Sequence, residues 1–172
     1  MAIEIERRFL VRDPDIVRGA SREIIVQGYP WAKDGYAIRL RVTTQIDDEA
    51  AGRPPGPPVV RATMALKGPR IGAARVEHEF EIDDVDSAQA ALLLMERKVS
   101  KSRYHVIAEG ETWDVDVFHG DNEGLIIAEI EMERSRVVRT PAWCVEEITD
   151  LRKYDNENLA ASPYRAWPPG EK

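Results

Sequence analysis

The chain has 172 residues, a net charge of -7 and a single cysteine, Cys144. That length suits one domain with a real core. The acidic balance argues against a general nucleic-acid binder, and one cysteine excludes an internal disulfide and suits a reducing compartment. In chain order, alternating apolar and polar residues predict a first strand over residues 3–11. Residues 13–19 read as a helical turn. Further strands are expected over 22–29, 36–44, 59–67, 74–82, 99–107, 111–118 and 124–133, eight in all. Residues 47–58 hold four prolines and two glycines and read as a long hairpin loop. The Ala/Leu-rich stretch 86–97 is the clearest helix, with Asp86 or Ser87 as cap, and 156–161 a short second one. The expected domain is 1–162, with 163–172 a loose tail. No apolar run reaches membrane-spanning length and the first residues hold no signal core, so a soluble cytoplasmic protein without nucleic-acid or membrane partners is expected.

Successive strand residues point to opposite faces, so polar faces can be sorted from sequence. The first strand carries Glu4, Glu6 and Arg8 opposite Ile3, Ile5 and Phe9. The third carries Arg39 and Arg41, and the fourth Lys67. Arg75, Glu77 and Glu79 share a face of the fifth, Lys101 and Arg103 of the sixth, Asp114 and Asp116 of the seventh, and Glu129 and Glu131 of the eighth. A solvated face of an antiparallel sheet gives the same alternation. Sign segregation is the detail that a wet face does not require, because like charges on neighbouring positions repel. Eight strands closed into a barrel would gather these rows around one small ligand, with helices covering the apolar outside. Carboxylates suit Mg2+ or Mn2+, and guanidinium groups suit a phosphate chain.

Several ordered blocks carry a family resemblance. The opening Glu4-Ile-Glu6-Arg-Arg8 resembles the Glu-x-Glu-x-Lys signature of the CYTH superfamily, the triphosphate tunnel metalloenzymes. Gln27-Gly28-Tyr29, Ile38-Arg39-Leu40-Arg41, Ala65-Leu66-Lys67-Gly68 and Arg75-Val-Glu77-His-Glu79 continue it. So do Lys101-Ser-Arg103-Tyr104, Trp113-Asp-Val-Asp116, Ala128-Glu129-Ile-Glu131, Glu147-Ile-Thr149 and Lys153-Tyr154-Asp155-Asn156. The short bacterial tripolyphosphatases are the most similar group. The resemblance implies a mainly β (α+β) fold, an eight-stranded antiparallel β-barrel tunnel with a charged interior and a few flanking helices. It implies metal-dependent cleavage of a triphosphate, foremost inorganic tripolyphosphate to pyrophosphate and phosphate, by a monomer or homodimer. Glu4, Glu6, Glu129, Glu131 and Asp116 would then hold Mg2+ or Mn2+. Arg39, Arg41, Lys67, Lys101 and Arg103 would hold phosphate oxygens, with Arg75 and Lys153 in support. Glu77 and Glu79 would form a secondary acidic site.

Tyr29 would be the catalytic base, paired with the basic residue of the opening motif. A phenol titrates near 10 and needs an adjacent cation to act near neutrality. Here that residue is Arg8 where the family has lysine, and an arginine cannot give up its proton. Competing readings are an adenylyl cyclase, a thiamine triphosphatase using Trp31 as an aromatic platform, and a polyphosphate- or nucleotide-binding module without turnover. His78, His105 and His119 lack metal-ligand spacing. Gly68–Gly72 reads as a hairpin turn, since no helix follows it.

Overall fold

A computed structural model describes residues 2–46, 58–133 and 136–172. Nine strands form: β1 (Ala2–Val11), β2 (Arg22–Lys33), β3 (Tyr36–Ile46), β4 (Val59–Ile71), β5 (Ala74–Ile82), β6 (Lys98–Ala108), β7 (Glu111–His119), β8 (Ile126–Met132) and β9 (Cys144–Glu147). Their order is β5-β4-β3-β2-β6-β7-β8-β1-β9, and a further pairing of β5 with β1 closes the first eight into an antiparallel barrel. Closure works because β5 and β9 take different stretches of β1. Ala2–Ile5 pairs with β5, and Phe9–Val11 with β9, with a register shift between Leu10 and Val11. β9 is the strand that sequence periodicity did not announce, being four residues long. The expected loop at 47–58 lies, save Pro58, outside the described residues.

Two strands, β2 and β4, run furthest past their expected ends, to Lys33 and Ile71. In β2 the register slips by one residue between Gly28 and Trp31, and in β4 between Lys67 and Arg70. Pro30 and Pro69 sit in these slips. Proline has no N–H to give the ladder, and a bulge is where a sheet tolerates it.

The apolar strand faces point outward and find three fates. Helix α1 (Val85–Leu94), capped by Asp84 accepting from the Ser87 N–H, covers Leu40, Val42 and Ala62 with its Ala88 and Leu92. Residue 84 is the cap, not Asp86 or Ser87 as expected. The helix passes so close over β2 that a Cβ on Gly28 would stand 2.4 Å from Met95 Sδ. The outer face of β1, β7 and β8 packs Phe9, Trp113, Ile130 and Val138 with Trp143 and with Ile16 of the turn Pro14–Val17, a 3-10 helix. Trp113 meets Phe9 and Trp143 edge-on at 5.8 and 5.5 Å. Trp31, Leu66 and Val76, on the outer face near the β3–β4–β5 sector, stay about half exposed.

Helix α2 (Asn156–Ala161) does something other than cover the outside. Ala37, Val99, Phe118 and Ile127 share strand faces with the charged residues Arg39, Lys101, Asp116 and Glu129, so they point inward, at one end of the barrel. They pack with Leu159, Ile148, Tyr154 and Trp167. The C-terminal segment therefore plugs one mouth. Within the stretch expected as a loose tail, Trp167 is buried, donates its indole N–H to Ser162 O at 2.9 Å, and meets Tyr154 and Tyr164 edge-on. Among the described residues no helix is long and apolar enough to cross a membrane.

Candidate active site

Above the plug the barrel encloses a cavity of about 220 Å3 whose lining is almost wholly polar. Its lining includes seven carboxylates (Glu4, Glu6, Glu79, Glu129, Glu131, Asp155, Glu157) and seven cations (Arg8, Arg39, Arg41, Lys67, Arg70, Arg75, Arg103), with Tyr29 and Asn156. Acids and bases are equal in number here, so the excess of acidic residues in the chain lies outside this cavity.

The acids gather on one wall because β1 and β8 are neighbours in antiparallel register. Glu6 stands opposite Glu131, and Arg8 opposite Glu129. Burial foremost, and repulsion from Glu129 next, raise the Glu6 pKa despite Arg70 and Arg8. Burial and the neighbouring Glu77 likewise lift Glu4, to about 7. Carboxylates forced together out of water are ready to exchange protons for a cation. Among the described residues, however, no three Asp, Glu, His or Cys side chains already converge on one ion position.

The cations come mainly from β3, β4, β5 and β6. Arg39 pairs with Glu77 at 3.0 Å and with Glu79, and Lys67 also pairs with Glu77. Burial would raise Glu77, but Lys67 and Arg39 outweigh it and hold it down to about 2. So Glu77 is a tightly held counter-ion of two cations. Lys67 itself is lowered to about 8, by burial and by Arg39. Arg103 grips Asp114 at 2.9 Å, Asp116 at 2.7 Å, and Glu129. Arg75 donates to Gly68 O and Gly35 O and pairs with Glu157 at 2.6 Å, tying two hairpins to α2. Arg41 differs from all of these. It forms no ion pair among the described residues, and donates only to the side-chain oxygen of Gln27 at 3.0 Å. Burial, then Arg39 and Arg103, lower it to about 10. A half-buried guanidinium held among like charges and paired with no carboxylate can take an anion.

Three expected ligands fall outside the lining. Lys101 and Asp116 are fully buried and pair with each other, below the cavity and toward the plug. Arg103 takes the other oxygen of Asp116. Inward parity was right for both, but depth along the barrel put them behind the cavity wall. Lys153 lies over Trp167 at 4.6 Å and donates to Glu171 O, on the outside of the plug. Strand alternation could not place it, because it sits in the turn Arg152–Tyr154, a 3-10 helix.

The expected Tyr29–Arg8 pair is also absent. Arg8 turns to the C-terminal segment. Its guanidinium donates to Tyr154 O and Thr149 O, both at 3.2 Å, and meets Asp155 at 2.7 Å. Tyr29 instead accepts from the Gln27 amide at 2.8 Å. Burial first, and the Glu157 charge second, push its pKa well above the ordinary phenol value, and Arg39, Arg41 and Arg75 only partly offset this. Burial thus works against ionisation of the Tyr29 hydroxyl.

Sequence reasoning missed Arg70, Gln27, Asp155, Asn156 and Glu157. Strict alternation turns Arg70 outward with Leu66. The bulge at Pro69 reverses that, so Arg70 faces inward and meets Glu6 at 3.4 Å. Asp155, Asn156 and Glu157 reach the cavity because α2 seals it, and the Lys153-Tyr154-Asp155-Asn156 block was their available signal. Asn156 Oδ1 is buried without a hydrogen-bond partner. Trp31 lines an apolar groove on the outer surface with Ile38 and Leu66, and so offers no platform inside the barrel.

A closed antiparallel barrel with paired acids and bases along its interior defines a triphosphate-tunnel class of protein. Comparison with known proteins agrees. The inorganic triphosphatase of Acetivibrio thermocellus is 33% identical over 167 residues, covering 96% of this chain and 97% of that protein. The inorganic triphosphatase of Nitrosomonas europaea is 31% identical over 103 residues, 58% of this chain and 68% of that one. The crystal structure of the inorganic triphosphatase NE1496 superposes with a TM-score of 0.60 at 28% identity, over 94% of this chain and 97% of that one. No family model matches the chain. The chain belongs to the inorganic triphosphatase family.

Proposed function

We propose that this protein hydrolyses inorganic tripolyphosphate to pyrophosphate and phosphate inside the barrel, with a divalent cation. The observation that carries the reading is Arg41, half-buried in the cavity wall among Arg39 and Arg103, with no ion pair to a carboxylate among the described residues. A chain of phosphates supplies the missing negative charge. As it enters, Arg39, Lys67, Arg70, Arg75 and Arg103 exchange carboxylate partners for phosphate oxygens, and arginine forks do so with two parallel hydrogen bonds. Glu4, Glu6, Glu129 and Glu131 are the side chains that would hold Mg2+ or Mn2+. When bound, such an ion supplies Lewis acidity toward phosphate oxygens and a template for the chain. The protein's own contribution is neutralisation of charge on the leaving pyrophosphate by fixed, water-excluded donors. The plug makes the cavity a blind one, so the site is built within one chain and needs no second subunit. Asp116, itself paired with Lys101, supports it from beneath by holding Arg103. The domain in this reading runs past residue 162, to Trp167 in the plug.

The test is phosphate release from tripolyphosphate, ATP and thiamine triphosphate, each with Mg2+, Mn2+ or chelator, from pH 6 to 10. Metal-dependent turnover of tripolyphosphate well above the other two is expected. Binding without turnover on any substrate would replace this reading with a non-catalytic polyphosphate-binding module.

A further inference from the structure

Gln27 is fully buried and does not line the cavity. Its amide touches two groups that do. Arg41, opposite it in the β2–β3 register, donates from Nε to Oε1 at 3.0 Å, and Nε2 donates to the Tyr29 hydroxyl oxygen at 2.8 Å. The orientation of a side-chain amide is often ambiguous, but here chemistry fixes it. A guanidinium can only donate, so the atom facing Arg41 is the oxygen. The nitrogen then faces Tyr29, and the phenol oxygen is obliged to accept. Among the described residues the Tyr29 O–H donates to no protein acceptor. Its proton is left for the cavity that Tyr29 lines.

We propose that Gln27 is a positioning residue which turns the Tyr29 hydroxyl into a hydrogen-bond donor toward an oxygen of the bound triphosphate, while holding Arg41 on the same anion. This deepens the triphosphatase reading and rests on it. A donor from Gln27 would also steady a phenolate. Burial and Glu157 work the other way and keep the phenol protonated. The bulge between Gly28 and Trp31 places Tyr29 where the amide reaches it, two residues along the same strand face. Arg41 and Tyr29 are thereby coupled through one side chain, so an anion drawn to Arg41 arrives beside a proton already aimed at it.

The experiment is a cycle of Gln27→Leu and Gln27→Glu, each alone and combined with Tyr29→Phe, with kcat and KM measured on tripolyphosphate and folding checked by thermal unfolding. Gln27→Leu should lower kcat roughly 10–100-fold when Tyr29 is present and by less than about 2-fold on top of Tyr29→Phe. Gln27→Glu has nearly the same shape and carries the test alone should the leucine variant fail to fold. Its carboxylate accepts from the Tyr29 hydroxyl and so reverses the proton, which should cost kcat only when Tyr29 is present. It also neutralises Arg41, which should raise KM roughly 10-fold in both backgrounds. A kcat loss equal in both backgrounds, or none in either, would overturn the proposal while leaving triphosphatase activity intact. An unmodified protein inert toward tripolyphosphate would remove both readings together.

Discussion

Among the cavity residues Arg41 is the cation whose role is most exposed to a single substitution. Its neighbours have carboxylate partners to fall back on, and it has one neutral amide. Arg41→Met keeps the bulk and removes the charge. A charge-assisted hydrogen bond is worth about 1.5–3 kcal/mol, so KM for tripolyphosphate should rise roughly 10–100-fold, read from steady-state kinetics. Arg8 calls for the opposite expectation. It replaces the lysine of the opening motif, and its fork reaches Thr149 O, Tyr154 O and Asp155 at once. One ammonium cannot reach all of these. Arg8→Lys should therefore lower unfolding stability by about 1–3 kcal/mol in denaturant titrations, without raising turnover. A gain in turnover would instead show that Arg8 restrains Tyr29 after all.

At the scale of elements, two bulges and a plug turn a charged barrel into a site. The bulge at Pro69 brings Arg70 inward, and the one at Pro30 sets Tyr29 against Gln27. The plug is anchored by apolar contact as much as by Arg8 and Arg75. Leu159 is fully buried among Val99, Phe118 and Ile127 on the inward faces of three strands. Leu159→Ala removes buried methyl groups and leaves a cavity, a change that costs about 2–5 kcal/mol elsewhere. Because Asp155 and Glu157 flank the same short helix, substrate affinity should weaken along with stability. Parallel denaturant unfolding and KM measurements on this variant would show both. Loss of stability with unchanged KM would detach the plug from the site.

For the whole molecule, the buried carboxylates make stability depend on pH in a defined way. Glu4 is raised to about 7 when folded, against 4.5 for the ordinary group. The folded chain thus holds a proton that the unfolded chain has released, and stability falls as pH climbs from 4.5 through 7. Glu6 is displaced in the same direction. Glu77, held to about 2 by Lys67 and Arg39, contributes stability above 4.5 that disappears as pH falls toward 2. Without metal, these groups together place the stability maximum near pH 4.5, with a decline toward pH 7. A divalent ion competes with the proton on Glu4 and Glu6, so Mg2+ or Mn2+ should raise the melting temperature at pH 8 far more than at pH 5. Melting curves with chelator and with each metal, across that range, check both statements. Equal metal stabilisation at both pH values would argue against carboxylate ligation on β1.

Much of this was legible before folding was considered. Strand alternation placed Glu4, Glu6, Arg39, Arg41, Lys67, Arg75, Arg103, Glu129 and Glu131 on the polar faces of their strands, because a strand has a period of two, and the family resemblance turned those faces inward. Rows of like charge made a closed barrel a sensible arrangement, and the family resemblance implied it. Three matters were decided by tertiary structure. A bulge changes parity locally, which is why Arg70 was read as outward and is inward. Depth along the barrel separates residues of equal parity, which is why Lys101 and Asp116 pair below the cavity instead of lining it. Contacts distant in sequence, from Arg8 to Asp155 and from Arg75 to Glu157, set the partners of each charge. The sequence determined which side chains enter the barrel, since that depends on neighbours one and two residues away. Their partners, depth and protonation depended on other strands and on the C-terminal segment, and only the closed fold brought those together.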